Sequence, residues 1–359
     1  MLVLLLLLII TIGLLNTEWG QNRILSIVTN KLSKDLKSRI SINHVSFTFF
    51  DKMDLDGVLV EDQKRDTLLW AGKVQIRITD WFFLKDQADL KYIGLENAVA
   101  KFNRTDSVWN YTFLEKYFAS TSTSSKKKAG ITFNLKKVLF TNVSFEQKDE
   151  WAGELLSAKV SHLDLDAKNI NIAKKKIDIN SLKLIDPYFH TYSYKGRRPY
   201  HPITIKEKAA QPWDVAIAEL VINGGHLKLD NNSLTPTVNY FDSKHLDFTS
   251  INTTIKNLRW QGDTLRANVD LATTERSGLQ VKTLKGALKM TPQVLEFANF
   301  YLQTNESILR NYFAMRFDSL GSLNDIEHAV KMDANFVNSE IASNDVALFA
   351  PYLKTWHLD

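Results

Sequence analysis

The run LDGVLVEDQKRDTLLWAGKVQIRI, Leu55 to Ile78, decides the class of fold. It is two alternating segments joined by a charged turn. In the second segment Val74, Ile76 and Ile78 fall on one side, and Lys73, Gln75 and Arg77 on the other. A period of two marks a strand with one buried face and one wet face. The pattern returns in ITFNL (Ile131, Phe133, Leu135), KIDINSLKL (Ile177, Ile179, Leu182, Leu184), HLKLD (Leu227, Leu229) and TLRANVDLA (Leu265, Ala267, Val269, Leu271). One-sided burial of this kind predicts a mainly β chain, built as an elongated antiparallel sheet or groove with an apolar inner face. No strand–helix–strand rhythm runs through the sequence, which argues against a doubly wound α/β fold. Two short stretches are helical by pattern. WNYTFLEKYFA (Trp109 to Ala119) groups Phe113, Leu114, Tyr117 and Phe118, and SNDVALFAPYL suits a short helix stopped by Pro351.

The N-terminus has a different character. LVLLLLLIITIGLL, Leu2 to Leu15, carries no polar side chain but Thr11. With NTEW included it approaches the ~17 residues that set the lower limit of a membrane span. An uncleaved anchor over residues 1–19 is expected, with Leu2, Leu8 and Leu15 in the span and Trp19 at the interface. A cleaved secretion signal is the alternative, although a basic leader and an A-x-A site are missing. Arg23, Lys31, Lys34, Lys37 and Arg39 follow the apolar run, and by the positive-inside rule they favour a cytoplasmic body. Residues 20–39 form an amphipathic helix by period, with Ile24, Ile27, Val28, Leu32 and Leu36 on one face. Such a helix either caps a sheet, the commoner fate, or lies on a membrane surface. A first β-rich module is expected over residues 40–119 and a flexible polar loop over 120–130. A groove of repeated strands over 131–359, continuing beyond the last residue, completes the expected organisation.

A weak repeat runs through the chain. LKYIGLEN, LKKVLFTN, SLKLIDP, IAELVINGG and IKNLRWQGD share an apolar rhythm that closes on Asn97, Asn142, Asp186, Gly224 and Gly262. These are residue types of tight turns. A recurrence of roughly 40 residues suggests a unit of several strands, repeated.

The bulk numbers exclude more than they assign. The 359 residues carry a net charge of +5 and no cysteine. Disulfides, zinc thiolate sites and cysteine catalysis are therefore removed together. The basic runs Lys126 to Lys128, Lys174 to Lys176 and Arg197 with Arg198 sit in polar breaks between strands. They suit solvated turns better than a nucleic-acid patch, which gathers cations and aromatics on one element. The eight histidines are scattered; His190 and His201 have no third ligand nearby. G-x-S-x-G, G-x-x-x-x-G-K-[ST] and H-E-x-x-H do not occur. The acidic residues Asp51, Asp54, Asp56, Glu61 and Asp62 lack the spacing and glycine of a calcium loop. No catalysis, cofactor, metal or nucleic acid is expected. What remains is the apolar faces, which must pack on another sheet, close into a barrel, or floor a groove for a greasy guest. Phospholipid acyl chains suit the groove. Its expected floor includes Val74, Ile76, Ile78, Phe102, Phe133, Leu135, Phe140 and Phe145, with ordinary core packing as the alternative for each. A scaffold that pairs its sheet edges with client strands is the second reading.

ISINHVSFTFFDKMDLDGVLVEDQKRDTLLWAGKVQIRI, followed by LKYIGLENAVAKFNR and WNYTFLEKYF, resembles the N-terminal portion of TamB-type proteins of the AsmA-like superfamily. The apolar start followed by TEWGQNRILSIVTNKLS, and the late SEIASNDVALFAPYL, fit as well. The likeness covers most of the chain and is most specific over residues 16–118; its motifs are structural. It implies the inner-membrane component of a translocation and assembly module in a bacterial envelope, with a single-pass anchor and a periplasmic body. It implies a β-groove that shields phospholipid on its way to the outer membrane and supports outer-membrane biogenesis. It also implies an outer-membrane barrel-assembly-type partner, met through a C-terminal domain that no segment here matches. The basic flank of the apolar run stands against a periplasmic body.

Overall fold

The structure, a computed structural model, describes residues 17–48, 52–79, 87–120, 130–171, 174–199, 212–232, 235–237, 239–324 and 326–350. Sixteen strands form a mixed sheet. The chain divides into two compact units, residues 1–151 and 152–359.

The first unit opens with helix α1 (Glu18–Leu36), where the sequence predicts one over 20–39. Thr17 caps it by accepting from the Gly20 N–H at 3.2 Å, and Lys37 ends it in the left-handed region at φ 52°. Strands β1 (Ile40–Ser41), β2 (His44–Thr48), β3 (Lys52–Glu61), β4 (Thr67–Thr79) and β5 (Gln87–Arg104) follow. Helix α2 (Thr112–Ser120) and strand β6 (Gly130–Asp149) complete the unit. The strand order is β1-β3-β4-β5-β6, with β2 also on β3. Helix α1 caps the end of this sheet. Leu36 is buried, the Gln63 side chain donates to its carbonyl at 3.4 Å, and the Ser38 hydroxyl donates to the Glu61 carbonyl.

The pairing is not antiparallel throughout. β5 and β6 run parallel, with partners 45 residues apart such as Gly94 with Leu139. A parallel pair needs a crossover, and α2, the helix legible in WNYTFLEKYFA, lies within it.

The second unit contains β7 (Glu154–Asn171), β8 (Lys176–Ile185), β9 (Tyr188–Ser193), β10 (Asp214–Asn231), β11 (Leu246–Gln261), β12 (Thr264–Glu275), β13 (Gln280–Met290), β14 (Val294–Gln303) and β15 (Ile308–Phe317). A 3-10 turn (Leu320–Asn324), helix α3 (Ile326–Ala329), strand β16 (Val330–Phe336) and helix α4 (Ser343–Ala347) end it. β8 and β9 lie on one line broken at Asp186–Pro187: both pair antiparallel with β7 and parallel with β10. From β10 to β16 every neighbour is antiparallel. The segment after β16 ties strand ends together. Asp345 accepts from the Ser307 N–H at 2.8 Å and from the Thr304 hydroxyl, and the Leu348 carbonyl accepts from the Phe241 N–H at 2.8 Å.

The parallel registers account for part of the repeat. Asn97 lies beside Asn142, which donates its side-chain N–H to the Asn97 Oδ1 at 3.2 Å. Asp186 and Gly224 are brought together the same way, because β8 and β10 pair residues 38 apart, such as Lys176 with Asp214. The closing residues are also not all chain reversals. Asn97, Asn142 and Gly224 sit inside strands at φ 51°, 53° and 69°, and Asp186 takes φ 48° at the β8–β9 break. Only Gly262 occupies a hairpin turn. The residue types do mark left-handed backbone, which Gly, Asn and Asp adopt most readily. Here that backbone bends strands.

Candidate functional site

Directly paired residues on neighbouring strands share a face. In the first unit the register therefore writes out whole rows. Met53–Ile76–Ile93–Val138, Leu55–Val74–Leu95–Phe140, Val58–Ala71–Ala98–Val143 and Val60–Leu69–Ala100–Phe145 are apolar on all four strands. The other face carries the polar rows Lys52–Arg77–Tyr92–Lys137 and Asp56–Lys73–Glu96–Thr141, and also Leu59–Trp70–Val99–Ser144, apolar on three strands with Trp70 exposed.

Plain alternation would put Leu55 and Val58, three residues apart, on opposite faces. The row Gly57–Gly72–Asn97–Asn142 corrects the phase, with Gly57, Asn97 and Asn142 in the left-handed region. Leu55, Val74 and Leu95 consequently pack against the buried cluster of Val58, Ala71 and Ala98. Gly57 has a further reason to be glycine: a Cβ there would lie 2.2 Å from the Asn43 side-chain nitrogen.

The second unit repeats the design on more strands. Ile170–Ile177–Val215–Trp260–Leu265–Met290–Leu295–Met315–Met332 is one apolar row across nine strands. Leu163–Leu184–Ile222–Thr253–Leu271–Leu284–Leu302–Leu309 crosses eight, and its one polar member, Thr253, donates its hydroxyl to the Asp270 carbonyl at 2.9 Å. Leu288–Phe297–Phe313–Ala334 lies between them on the same face. The opposite face carries Asp164–Lys183–Val221–Thr254–Asp270–Lys285–Tyr301–Arg310, with Lys285 and Asp270 paired at 3.0 Å and the Arg310 guanidinium 5.5 Å from the Tyr301 ring.

The strands of each unit thus have one apolar and one mainly polar face, the latter interrupted in the first unit by Leu59, Trp70 and Val99. The apolar faces are half-buried. Ala71, Ile179, Ala267 and Phe297 are buried, but no large side chain among the described residues is fully so, and Trp260 and Met332 are 46% and 57% exposed.

Of the expected floor residues, Val74, Ile76 and Phe140 take their places in these rows, half-buried. Ile78 and Phe133 both pair with Leu90 through the backbone, and their side chains lie outside the described set. Leu135 is half-buried in β6 where the register shifts between the Phe133 and Lys137 pairings. Phe102 and Phe145 meet edge to face at 5.2 Å, and Phe102 meets Tyr111 at 4.6 Å. Burial raises the Tyr111 phenol pKa, Glu115 adds to the rise, and Arg104 opposes it. The rows of the second unit were hidden because they depend on which strands pair. The alternation within each strand was the available signal.

The expected anchor residues Leu2, Leu8 and Leu15 lie outside the described residues, as does the side chain of Trp19. Among the described residues no helix is long and apolar enough to cross a membrane.

Histidines and carboxylates also meet in pairs. His226 Nε2 lies 2.7 Å from Asp247 Oδ1, and His245 Nδ1 bonds to Asp230, while His190 Nε2 and His245 Nε2 are buried without a partner. Burial, then Lys228, lowers the His190 pKa. No three His, Asp or Glu side chains among the described residues converge as a metal site. His201 and Asp51 lie outside the described residues. Asp62 is spent within its turn, accepting from the Lys64 and Asp66 N–H groups at 2.7 and 3.0 Å. No family model and no curated protein matches the sequence.

Proposed function

We propose that the chain is a membrane-anchored, non-enzymatic shield for phospholipid acyl chains, in which the apolar rows form the floor of a groove. The observation that carries it is the division of each unit's strands into an apolar and a mainly polar face, with the apolar one only half covered. Monomeric soluble proteins rarely leave such a face without a guest or partner. The energetics fit lipid. At ~0.8 kcal/mol per CH₂, a chain of ~16 carbons crossing water unshielded would cost on the order of 13 kcal/mol. An apolar floor removes most of that cost without bond chemistry. The resemblance to TamB-type proteins supports an inner-membrane anchor, a periplasmic body and transport toward the outer membrane.

The test is native mass spectrometry of the full chain purified from cells grown with labelled phospholipid. Several lipids per chain are expected, and an empty, folded protein would refute the reading. One observation favours a second reading, a scaffold for outer-membrane β-barrel proteins. β16 ends the strand order, and its residues from Lys331 to Asn335 are exposed, so a client strand could add there. Proline substitutions in β16 would then abolish function, and charges on the apolar face would matter little.

A further inference from the structure

Where the apolar rows of the first unit stop, at the Val60–Phe145 end, a cleft of about 540 Å³ opens. That volume suits a small polar group rather than a protein. The β3–β4 turn, the loop after β5, the start of α2 and the end of β6 line it, with four Lys or Arg and four Asp or Glu side chains among them. Part of this charge is committed. Arg104 holds Asp149 with two hydrogen bonds and covers the Trp109 ring at 4.6 Å, and Lys148 pairs with Glu150 at 2.7 Å. Lys64, Lys116 and Asp66 line the cleft, are exposed, and enter no ion pair among the described residues. The lining is therefore neutral in sum yet offers charges of both signs.

An aromatic path joins this cleft to the apolar face. Trp109 lines the cleft and stacks on Tyr111 at 5.6 Å, Tyr111 meets Phe102 at 4.6 Å, and Phe102 meets Phe145, a member of the last apolar row. A ligand that uses both features needs a head with one positive and one negative charge and a hydrocarbon tail.

We propose that the cleft is the seat of a zwitterionic phospholipid headgroup whose acyl chains start along Phe102 and Phe145. Lys64 and Lys116 face the phosphate and Asp66 the ammonium. The proposal rests on the lipid-shield reading and narrows its substrate class.

The experiment uses the full chain in detergent with equimolar dioleoyl phosphatidylethanolamine and dioleoyl phosphatidylglycerol, read by native mass spectrometry. The first lipid should be retained over the second by roughly fivefold, the scale of one exposed charge interaction. Asp66→Lys, at an exposed position, should bring that ratio to about one while the total lipid count holds. Lys116→Glu, also exposed, repels the net-anionic second lipid more and should raise the ratio. A fall in the ratio in Lys116→Glu, or no change in Asp66→Lys, overturns the charge assignment. Bound lipid with no preference in the unmodified chain overturns the headgroup seat and leaves the shield intact. No bound lipid at all overturns the shield, and the seat with it. Free phosphorylethanolamine competing as well as the lipid shows a soluble zwitterion as the ligand and overturns the lipid assignment.

Discussion

Aspartate placed at two positions on one face separates an open groove from a closed core. Ala71 is 0% exposed, at the centre of the buried cluster with Val58 and Ala98. Ile76 lies on the same face in the row Met53–Ile76–Ile93–Val138 but is only half-buried. Burying a whole isoleucine contributes about 1.5–3 kcal/mol. Ile76→Asp therefore forfeits ~1–2 kcal/mol, and its carboxylate keeps water. Ala71→Asp loses only a methyl group but buries an unpaired carboxylate, which costs ~3 kcal/mol or more. Against a total stability of about 5–15 kcal/mol, the first variant stays folded and the second approaches the limit. Urea unfolding followed by circular dichroism, with lipid counted by mass spectrometry on the same samples, reads both quantities. The expected result is a folded Ile76→Asp protein with little bound lipid. If Ile76→Asp is destabilised as strongly as Ala71→Asp, Ile76 is core. If it folds and holds its full lipid load, the face is not the path.

Asn97→Val should lose ~1–2 kcal/mol because valine resists the φ of 51°, whereas Asn97→Gly should stay within a few tenths; thermal unfolding compares them. His190 carries a pKa lowered from 6.5 by burial and by Lys228, so the unfolded chain takes up its proton first as pH falls. Stability should then decline as pH drops below about 6.5, and His190→Gln should flatten that slope in denaturation curves taken between pH ~7 and ~5. Burial pushes the Asp345 pKa up, but hydrogen bonds from Thr304, Ser307 and Glu306 outweigh it and leave the pKa lowered from 3.8. Its contribution is present above that value and is lost as pH falls below it. Asp345→Ala should cost ~1–3 kcal/mol locally and raise amide hydrogen exchange at Glu306 and Ser307.

The alternation in KVQIRI and TLRANVDLA made the two-faced strands legible, since that pattern depends only on residues two apart. Pairing was harder because it is non-local. The offset between LKYIGLEN and LKKVLFTN was visible as a repeat, but an offset alone does not distinguish stacked units from two strands lying side by side in parallel. The helix in WNYTFLEKYFA was legible, yet its place in a crossover was not, because it is short and separated from β6 by a polar stretch. Asn97 and Asn142 signal left-handed backbone in any context; only the partner rows show that they reset a strand rather than end it. The candidate floor drew on the first unit alone for the same reason. Trp260 and Met332 become members of one row only once the four intervening strands are registered.

The two parallel pairs also set an order of events during folding. β11 and β12 meet across Gly262 and Asp263 and can zip as soon as both are made. β5 cannot find β6 until the residues between them exist, with partners 45 positions apart. By loop-closure entropy, that contact costs ~3 kcal/mol more to initiate than a two-residue hairpin. Until it forms, the β5 edge and the apolar residues Ile93, Leu95 and Ala98 stand uncovered. The β8–β10 pair, with partners 38 apart, carries nearly the same cost. The parallel pairing in each unit is thus a slow, aggregation-prone step, and a chaperone or a nearby lipid surface would act during that interval.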